Sequence, residues 1–152
     1  LDLHRRVRSW NGEQPRVLHT VGPSANRVAV VPSAPRVVLG RLNGRFGVWD
    51  LAAGVQVREL PVGPRTRPGV PLDVQETDAA GAVALLVSET PATAQAWNLT
   101  TGRPCGPEYP GRAALSADGR RVAVAGDKTV RVHETGTGLP VTPPLPTGTV
   151  RE

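Results

Sequence analysis

FGVWDLAAG, at residues 46–54, is the stretch of sequence that decides the fold. Side chains alternate along its first half, which ends in Trp49 and Asp50, and this two-residue period is that of a β-strand. Gly54 follows Asp50 after three residues, a spacing typical of a turn, because Asp bonds nearby backbone N–H groups and Gly tolerates the left-handed conformation. The stretch therefore predicts a strand that ends in a tight turn.

The same sequence motif, which we call the repeated phrase, occurs four times along the chain. Its anchor residues Trp10, Trp49, Trp97 and His133 are separated by 39, 48 and 36 residues. The other copies are VRSWNG at residues 7–12, AQAWNLTTG at residues 94–102 and the more divergent VRVHETGTG at residues 130–138. A period near 40 residues indicates a fold built from repeats of one supersecondary unit.

Strand and turn signals divide the chain into units. Half a unit lies at residues 1–23 and full units lie at residues 26–62, 70–110 and 112–146, all within one domain. Each full unit contains four short segments of strand-forming residues separated by turn residues, such as Asn43-Gly44, and therefore predicts a four-stranded antiparallel sheet. The fourth segments of the last two units, at residues 106–109 and 139–142, are flanked by prolines, which suit an outer edge.

The composition favours a folded chain of short strands. The 152 residues include 17 Gly and 16 Pro with 3% aromatic residues, which fits many strands joined by turns. Disorder is the alternative, but disordered tracts rarely carry apolar, β-rich runs at regular intervals. Such runs lie at residues 28–31, 37–39, 82–87 and 122–125.

The formal net charge is +5, and the excess lies in the first half of the chain. Residues 1–76 hold eleven Arg against six acidic residues, whereas residues 77–152 hold six Arg and one Lys against seven acidic residues. Most of these arginines are interleaved with strand residues, which is typical of a solvated surface. The best candidates for a partner-contact surface are in or beside the loops of the basic half, namely Arg41, Arg45, Arg65 and Arg67.

Cysteine and hydropathy patterns bear on location. Cys105 is the only cysteine, so the chain has no internal disulfide and no cysteine-based metal cluster, which fits a reducing, cytoplasmic compartment. No apolar run is long enough to span a membrane. The sequence contains no Met and opens within a repeat, and we expect it to be a fragment of a longer protein whose further repeats lie upstream of Leu1.

The repeated phrase resembles that of the WD-repeat family of β-propellers. The turn Ser116-Ala117-Asp118-Gly119 is similar to the family's Ser-x-Asp-Gly turn, and Asp127, six residues before His133, matches its hairpin acid. The family's Gly-His pair is missing, and Pro91 stands where the second unit should carry the acid. The resemblance implies a divergent, bacterial, all-β propeller of about three and a half blades, acting as a scaffold attached to kinase, protease or ATPase domains.

Residues that could carry chemistry do not converge in the sequence. His4, His19 and His133 show no metal-ligand spacing, and Asp118 and Asp127 lie in hairpin turns, where Asp is favoured for its backbone hydrogen bonds. We therefore assign no catalytic, cofactor-binding or metal-binding residue.

Together these features predict a protein–protein interaction scaffold, not an enzyme, whose partner is another protein or an attached domain of the parent chain. One alternative is a propeller hydrolase with a site in the central channel, for which the inner strands offer only Asp73. The other alternative is nucleic-acid binding by the Arg-rich half. Neither a cofactor nor a small-molecule substrate nor a membrane is expected.

Overall fold

The computed structural model describes residues 6–10, 15–20, 25–31, 35–41, 46–60, 72–89 and 91–147. Within these ranges the regular structure is entirely β-strand, so the prediction of an all-β chain is confirmed for them. The strands are β1 (Arg6–Trp10), β2 (Pro15–Thr20), β3 (Ala25–Val31), β4 (Arg36–Arg41), β5 (Phe46–Asp50), β6 (Val55–Leu60), β7 (Leu72–Thr77), β8 (Val83–Glu89), β9 (Ala92–Asn98), β10 (Arg103–Pro104), β11 (Tyr109–Pro110), β12 (Arg112–Leu115), β13 (Arg121–Ala125), β14 (Thr129–Glu134) and β15 (Leu145–Pro146).

Strands β3 to β15 form three antiparallel sheets, and β1 pairs separately with β2. The first sheet has the order β3-β4-β5-β6, and the third has the order β12-β13-β14-β15. In the middle sheet β7, β8 and β9 are neighbours, and the short strands β10 and β11 both pair with β9. The long strands follow one another in space as in sequence, because short turns join them and short turns permit only antiparallel pairing.

The three sheets stack face to face in chain order, since β3 and β4 contact β7, and β12 contacts β7, β8 and β9. We call the side of a sheet that is turned toward higher residue numbers its forward face, and the other side its back face. The forward face of the first sheet packs on the back face of the middle sheet. Phe46 and Leu60, 1% and 0% exposed, share that core with Trp97. Burying one such side chain contributes about 1.5–3 kcal/mol.

Strand β8 serves two cores because its side chains alternate between the two faces of the middle sheet. Leu86 belongs to the core shared with the first sheet, whereas Leu85 packs with Ala113 and Val122 in the core shared with the third sheet. Both faces of the middle sheet are therefore covered. This explains why β8 is apolar along most of its length instead of alternating between apolar and polar residues.

The predicted turn after Asp50 is formed as the sequence indicates. Oδ1 of Asp50 accepts hydrogen bonds from the backbone N–H groups of Ala52 and Ala53, at 2.9 and 3.0 Å. The N–H of Gly54 donates to the Asp50 carbonyl at 2.9 Å, and Gly54 has a φ of 69°, which a residue with a Cβ adopts at a cost.

The turn recurs at the end of the copies at residues 94–102 and 130–138. Oδ1 of Asn98 accepts two backbone N–H groups at 2.9 and 2.7 Å, and the N–H of Gly102 donates to the Asn98 carbonyl at 2.9 Å. In the copy at residues 130–138, Glu134 accepts a bond of 2.6 Å from the hydroxyl of Thr137, and the N–H of Gly138 donates to the Glu134 carbonyl at 2.8 Å. The hydrogen bond from the glycine N–H to the carbonyl four residues earlier is thus kept in all three turns, although the residue that accepts it changes from Asp to Asn to Glu.

These turns define equivalent positions in the three sheets. The residue after each turn acid or amide donates its N–H to the carbonyl of the residue before the second strand: Leu51 to Pro35, Leu99 to Ala82 and Thr135 to Arg120. The cross-strand partners of Trp49, Trp97 and His133 are Val37, Ala84 and Val122. The repeat seen in the sequence is therefore also a repeat of hydrogen bonds and register.

The outer edges differ from the prediction in detail. In the middle sheet the edge is divided between Arg103–Pro104 and Tyr109–Pro110, in place of one strand at residues 106–109. In the third sheet, a single bridge between His133 and Pro140 stands where residues 139–142 were expected to form a strand, and β15 follows it. Prolines cause both interruptions because they have no N–H to donate to the ladder.

Candidate binding surface

The arginine surface suggested by the sequence lies mostly outside the described residues. Arg41 is the last residue of β4, and Arg45, Arg65 and Arg67 lie outside the described ranges. The set stays a prediction. The described residues point instead to two other features, an apolar sheet face and a cleft that contains two arginines.

The apolar feature is the forward face of the third sheet. The equivalent pairs on the forward faces are Val38 with Val48 in the first sheet, Leu85 with Ala96 in the middle sheet, and Ala123 with Val132 in the third. The first two pairs are covered by the following sheet and are at most 4% exposed. Ala123 and Val132 are only half-buried.

Further apolar side chains extend this surface. Ala125 and Val130, which oppose one another across β13 and β14, are on the same forward face, and Ala125 is exposed. Leu145 pairs with Val130 and is 45% exposed, and nearby Val141 is 49% exposed. We name Ala123, Ala125, Val130, Val132 and Leu145 the third-sheet apolar face. Its composition is that of the two faces that are covered within the molecule, which marks it as a surface suited to contact with protein.

Polar side chains on β7, the first strand of the middle sheet, form hydrogen bonds to the neighbouring sheets. Nε2 of Gln75 donates to the carbonyl of Ala113 at 2.8 Å, and the N–H of Leu115 donates to Oε1 of Glu76. On the other side, the hydroxyl of Thr77 donates to the carbonyl of Val30 at 3.1 Å. The carboxylate of Glu76 and the amide of Gln75 are therefore engaged with backbone groups of a neighbouring sheet.

Asp78 organises the turn between β7 and β8. Its side chain is 3% exposed, and its Oδ1 accepts bonds from the N–H groups of Ala82 and Val83 at 2.7 and 2.9 Å. Burial, and secondarily the negative charge of Asp78, raises the pKa of the Cys105 thiol. Such a shift lowers the fraction of thiolate, which is the nucleophilic form of cysteine.

His133, which takes the place of a tryptophan, has structural contacts. Its Nδ1 donates to the carbonyl of Gly138 at 3.0 Å, and its ring lies against Tyr109 with centroids 4.9 Å apart. Burial raises the pKa of the Tyr109 phenol. Among the described residues, no group of three His, Cys, Asp or Glu side chains is arranged to hold a metal ion.

Clefts between the sheets are lined by residues that the structure describes. One, of about 560 Å³, lies between the middle and third sheets and is lined by Gln75, Val87, Ser88, Ala92, Gly111 and Arg112. Another, of about 200 Å³, lies between the first and middle sheets and is lined by Arg36, Val48, Val57, Arg58, Gly81, Leu99 and Thr100. The second cleft has two guanidinium groups beside apolar side chains. Arg36 and Arg58 lie in different strands, and they come to line one cleft only through the packing of the first sheet on the middle sheet.

Comparison with known proteins supports the fold. No family model matches the chain, and no curated protein matches it. A crystal structure of the computationally designed Ika8 protein is similar over 91% of this chain and 43% of that one, with a TM-score of 0.63 and 20% identity. The computationally designed Ika4 protein is similar over 84% of this chain and 78% of that one, with a TM-score of 0.58 and 21% identity.

The chain thus spans less than half the length of the Ika8 protein. At these identities the likeness shows a shared all-β arrangement of antiparallel sheets and nothing of activity. Strands and turns account for the regular structure of the described ranges, which include no helix capable of crossing a membrane.

Proposed function

We propose that the three sheets are blades of a divergent, WD-repeat-like β-propeller of bacterial type, and that the chain acts as a protein–protein interaction scaffold. The resemblance of the repeated phrase to the WD family supports the blade assignment, as does the recurrence of the same turn in three sheets. Blades of a propeller cover one another's faces, which is the arrangement of the two cores within this molecule.

One observation carries the proposal, namely the third-sheet apolar face. The equivalents of Ala123 and Val132 in the first two sheets are buried by a following sheet, yet Ala123 and Val132 stay half-buried. Ala125, beside them, is exposed. An apolar surface of this kind is stabilised when protein covers it. The occupant that best fits is another four-stranded unit of the same repeat, from another protein or from an attached domain of a longer parent chain.

The hydrolase alternative depends on Asp73 in β7, whose side chain is outside the described part of the structure, so it stays an alternative. Glu76, an acid of strand β7, accepts a backbone hydrogen bond from the neighbouring sheet instead of facing a cleft. The nucleic-acid alternative depends on Arg45, Arg65 and Arg67, which lie outside the described residues, and it stays an alternative. The single cysteine is compatible with the cytoplasmic location that we propose for the scaffold.

Photo-crosslinking in the producing cells tests the scaffold function. Ala125, on the third-sheet apolar face, is replaced by photoreactive benzoylphenylalanine, and the matched control carries the same group at Ala53, an exposed turn residue of the first sheet. We expect irradiation to join position 125, and not position 53, either to a discrete protein or, where the occupant is an attached domain, to another unit of the same chain. Equal crosslinking at both positions, or none at position 125, contradicts the proposal.

A further inference from the structure

We infer that the cleft between the first and middle sheets binds an acidic segment of a protein partner, with Arg36 and Arg58 contacting its carboxylates. This inference rests on the proposed scaffold function and adds the chemistry of the partner. The cleft is small, about 200 Å³. That volume is below the range of sites that enclose a whole small molecule, so it suits one or two side chains of a peptide.

Arg58 extends from the first sheet toward the middle sheet. It opposes Val48 across β5 and β6, and it therefore lies on the forward face of the first sheet. Its Cδ and Nη1 atoms are 3.8 Å from the position that a Cβ on Gly102 would occupy. The guanidinium group thus lies beside the repeated turn of the middle sheet, at the rim of the cleft.

Arg36 stands at the other side of the same cleft, at the start of β4. Both arginines are exposed, and both line the cleft. Asp50 opposes Arg36 across the strands, but its Oδ1 is engaged with the backbone N–H groups of the turn. Glu59 is placed by the strand register on the back face, opposite Gly47. The exposure of both arginine side chains leaves their guanidinium groups accessible to a ligand.

The floor and one side of the cleft are apolar. Val48 and Leu99 are 4% and 5% exposed and form the floor, while Val57 is 47% exposed at the rim. A ligand that fits has an apolar side chain beside carboxylates. Arginine presents a planar fork of donors that matches a carboxylate, and the net charge of +5 attracts acidic partners over longer distances.

Fluorescence anisotropy with defined peptides tests the inference on the 152-residue chain. The probe is a labelled peptide in which Glu alternates with Val, and the matched probe has Gln in place of Glu. The test variant is Arg36→Gln with Arg58→Gln. The control variant is Arg121→Gln with Arg103→Gln, because Arg121 is the repeat equivalent of Arg36 and both control residues are exposed strand residues.

We expect the unsubstituted 152-residue chain to bind the Glu peptide more tightly than the Gln peptide. Since exposed ion pairs contribute little each, the test variant should bind the Glu peptide about three- to tenfold more weakly, and the control variant less than about twofold more weakly. Circular dichroism verifies that each variant is folded. An Arg36→Lys, Arg58→Lys variant, which keeps the charge, should lose less affinity than the Gln variant.

Three results would overturn the inference: equal loss in the test and control variants, no preference for Glu over Gln, or tighter binding of a matched phosphoserine peptide than of the Glu peptide. The last result would assign the cleft to phosphate in place of carboxylate. If the Glu peptide does not bind while crosslinking through Ala125 still captures a protein, the acidic-partner inference fails and the scaffold function stands. If crosslinking fails as well, both fail.

Discussion

Thr135 is the residue at which the third sheet departs most from the other two. Its equivalents in the first and middle sheets are Leu51 and Leu99, and Leu99 belongs to the core between those sheets. Thr135 is 4% exposed, and its buried Oγ1 has no hydrogen-bond partner among the described residues. A hydroxyl in this situation loses its bonds to water on folding and gains none in return.

Thr135→Val should therefore stabilise the protein. Valine has nearly the same shape and removes the unsatisfied hydroxyl, so we expect the free energy of unfolding to rise by about 1 kcal/mol. Thr137→Val is the matched control, because the hydroxyl of Thr137 donates to Glu134 at 2.6 Å and its loss should lower stability. Urea denaturation of the two variants gives the comparison, and a loss of stability in Thr135→Val would contradict it.

Asp118 gives a prediction about pH. The hydroxyl of Ser116 donates to Oδ1 of Asp118 at 2.6 Å, and the N–H of Arg120 donates to it at 3.0 Å, which lowers the pKa of this carboxyl below its ordinary value. Its stabilising contribution is therefore present above the ordinary pKa and is lost as the pH falls through the lowered value.

Melting temperatures measured between about pH 6 and pH 2 test this, because the ordinary pKa of Asp lies near 4. The parent chain should lose stability more steeply over the acidic part of this range than Asp118→Asn, which cannot titrate. Parallel pH profiles for the two proteins would show that the hydrogen bonds of Asp118 do not contribute to stability.

At the scale of the element, the repeated turn makes one glycine indispensable and another replaceable. Gly138 has a φ of 73°, and a Cβ at this position would lie 2.5 Å from Cγ of Pro107. Gly136, two residues earlier in the same turn, has no atom within 4 Å of an added Cβ. Substituting each glycine in turn therefore shows whether stability depends on the left-handed backbone at Gly138 or simply on having a glycine in the turn.

Gly138→Ala should lower the free energy of unfolding by about 1–2 kcal/mol for the left-handed backbone, with an additional cost for the clash with Pro107. Gly136→Ala should change it by less than about 0.5 kcal/mol. Thermal unfolding of both variants provides the measurement. Similar small effects in both would mean that the third turn is not closed by Gly138 as the structure shows.

The sequence predicted the elements that depend on local chemistry. Alternating apolar residues gave the long strands, and the Asp-to-Gly spacing gave the turn after Asp50, because both follow from interactions between residues close in the chain. The outer edges were less predictable. Pro107 lies between β10 and β11, and Pro143 and Pro144 lie between the His133–Pro140 bridge and β15. These prolines have no N–H to donate, and where pairing resumes depends on contacts with the neighbouring strand.

The candidate sites could not be predicted in the same way, since they form between sheets. Arg36 and Arg58 line one cleft only because the first sheet packs on the middle sheet in a particular register. Similarly, Ala123 and its buried equivalent Leu85 have the same place in the repeat, and the sequence of β13 does not indicate how deeply Ala123 is buried. The difference is whether a sheet covers it, which is a property of the packing.

At the scale of the whole molecule, the central claim is that the sheets are successive units of one face-to-face repeat. The forward faces of the first and middle sheets are covered by the next sheet, and the third-sheet apolar face has the same character without such a cover in the described residues. Exposed apolar sheet faces promote association between molecules. The oligomeric behaviour of the 152-residue chain therefore reports directly on the claim.

Multi-angle light scattering over a range of concentrations, on the parent chain and on Val132→Glu, is the most direct test. Val132 is central in the third-sheet apolar face and half-buried, so a charge there should prevent association while circular dichroism stays unchanged. We expect the unsubstituted 152-residue chain to associate as its concentration rises and to bind a hydrophobic dye. We expect Val132→Glu to do neither. A parent chain that is a monodisperse monomer and binds no dye would contradict it.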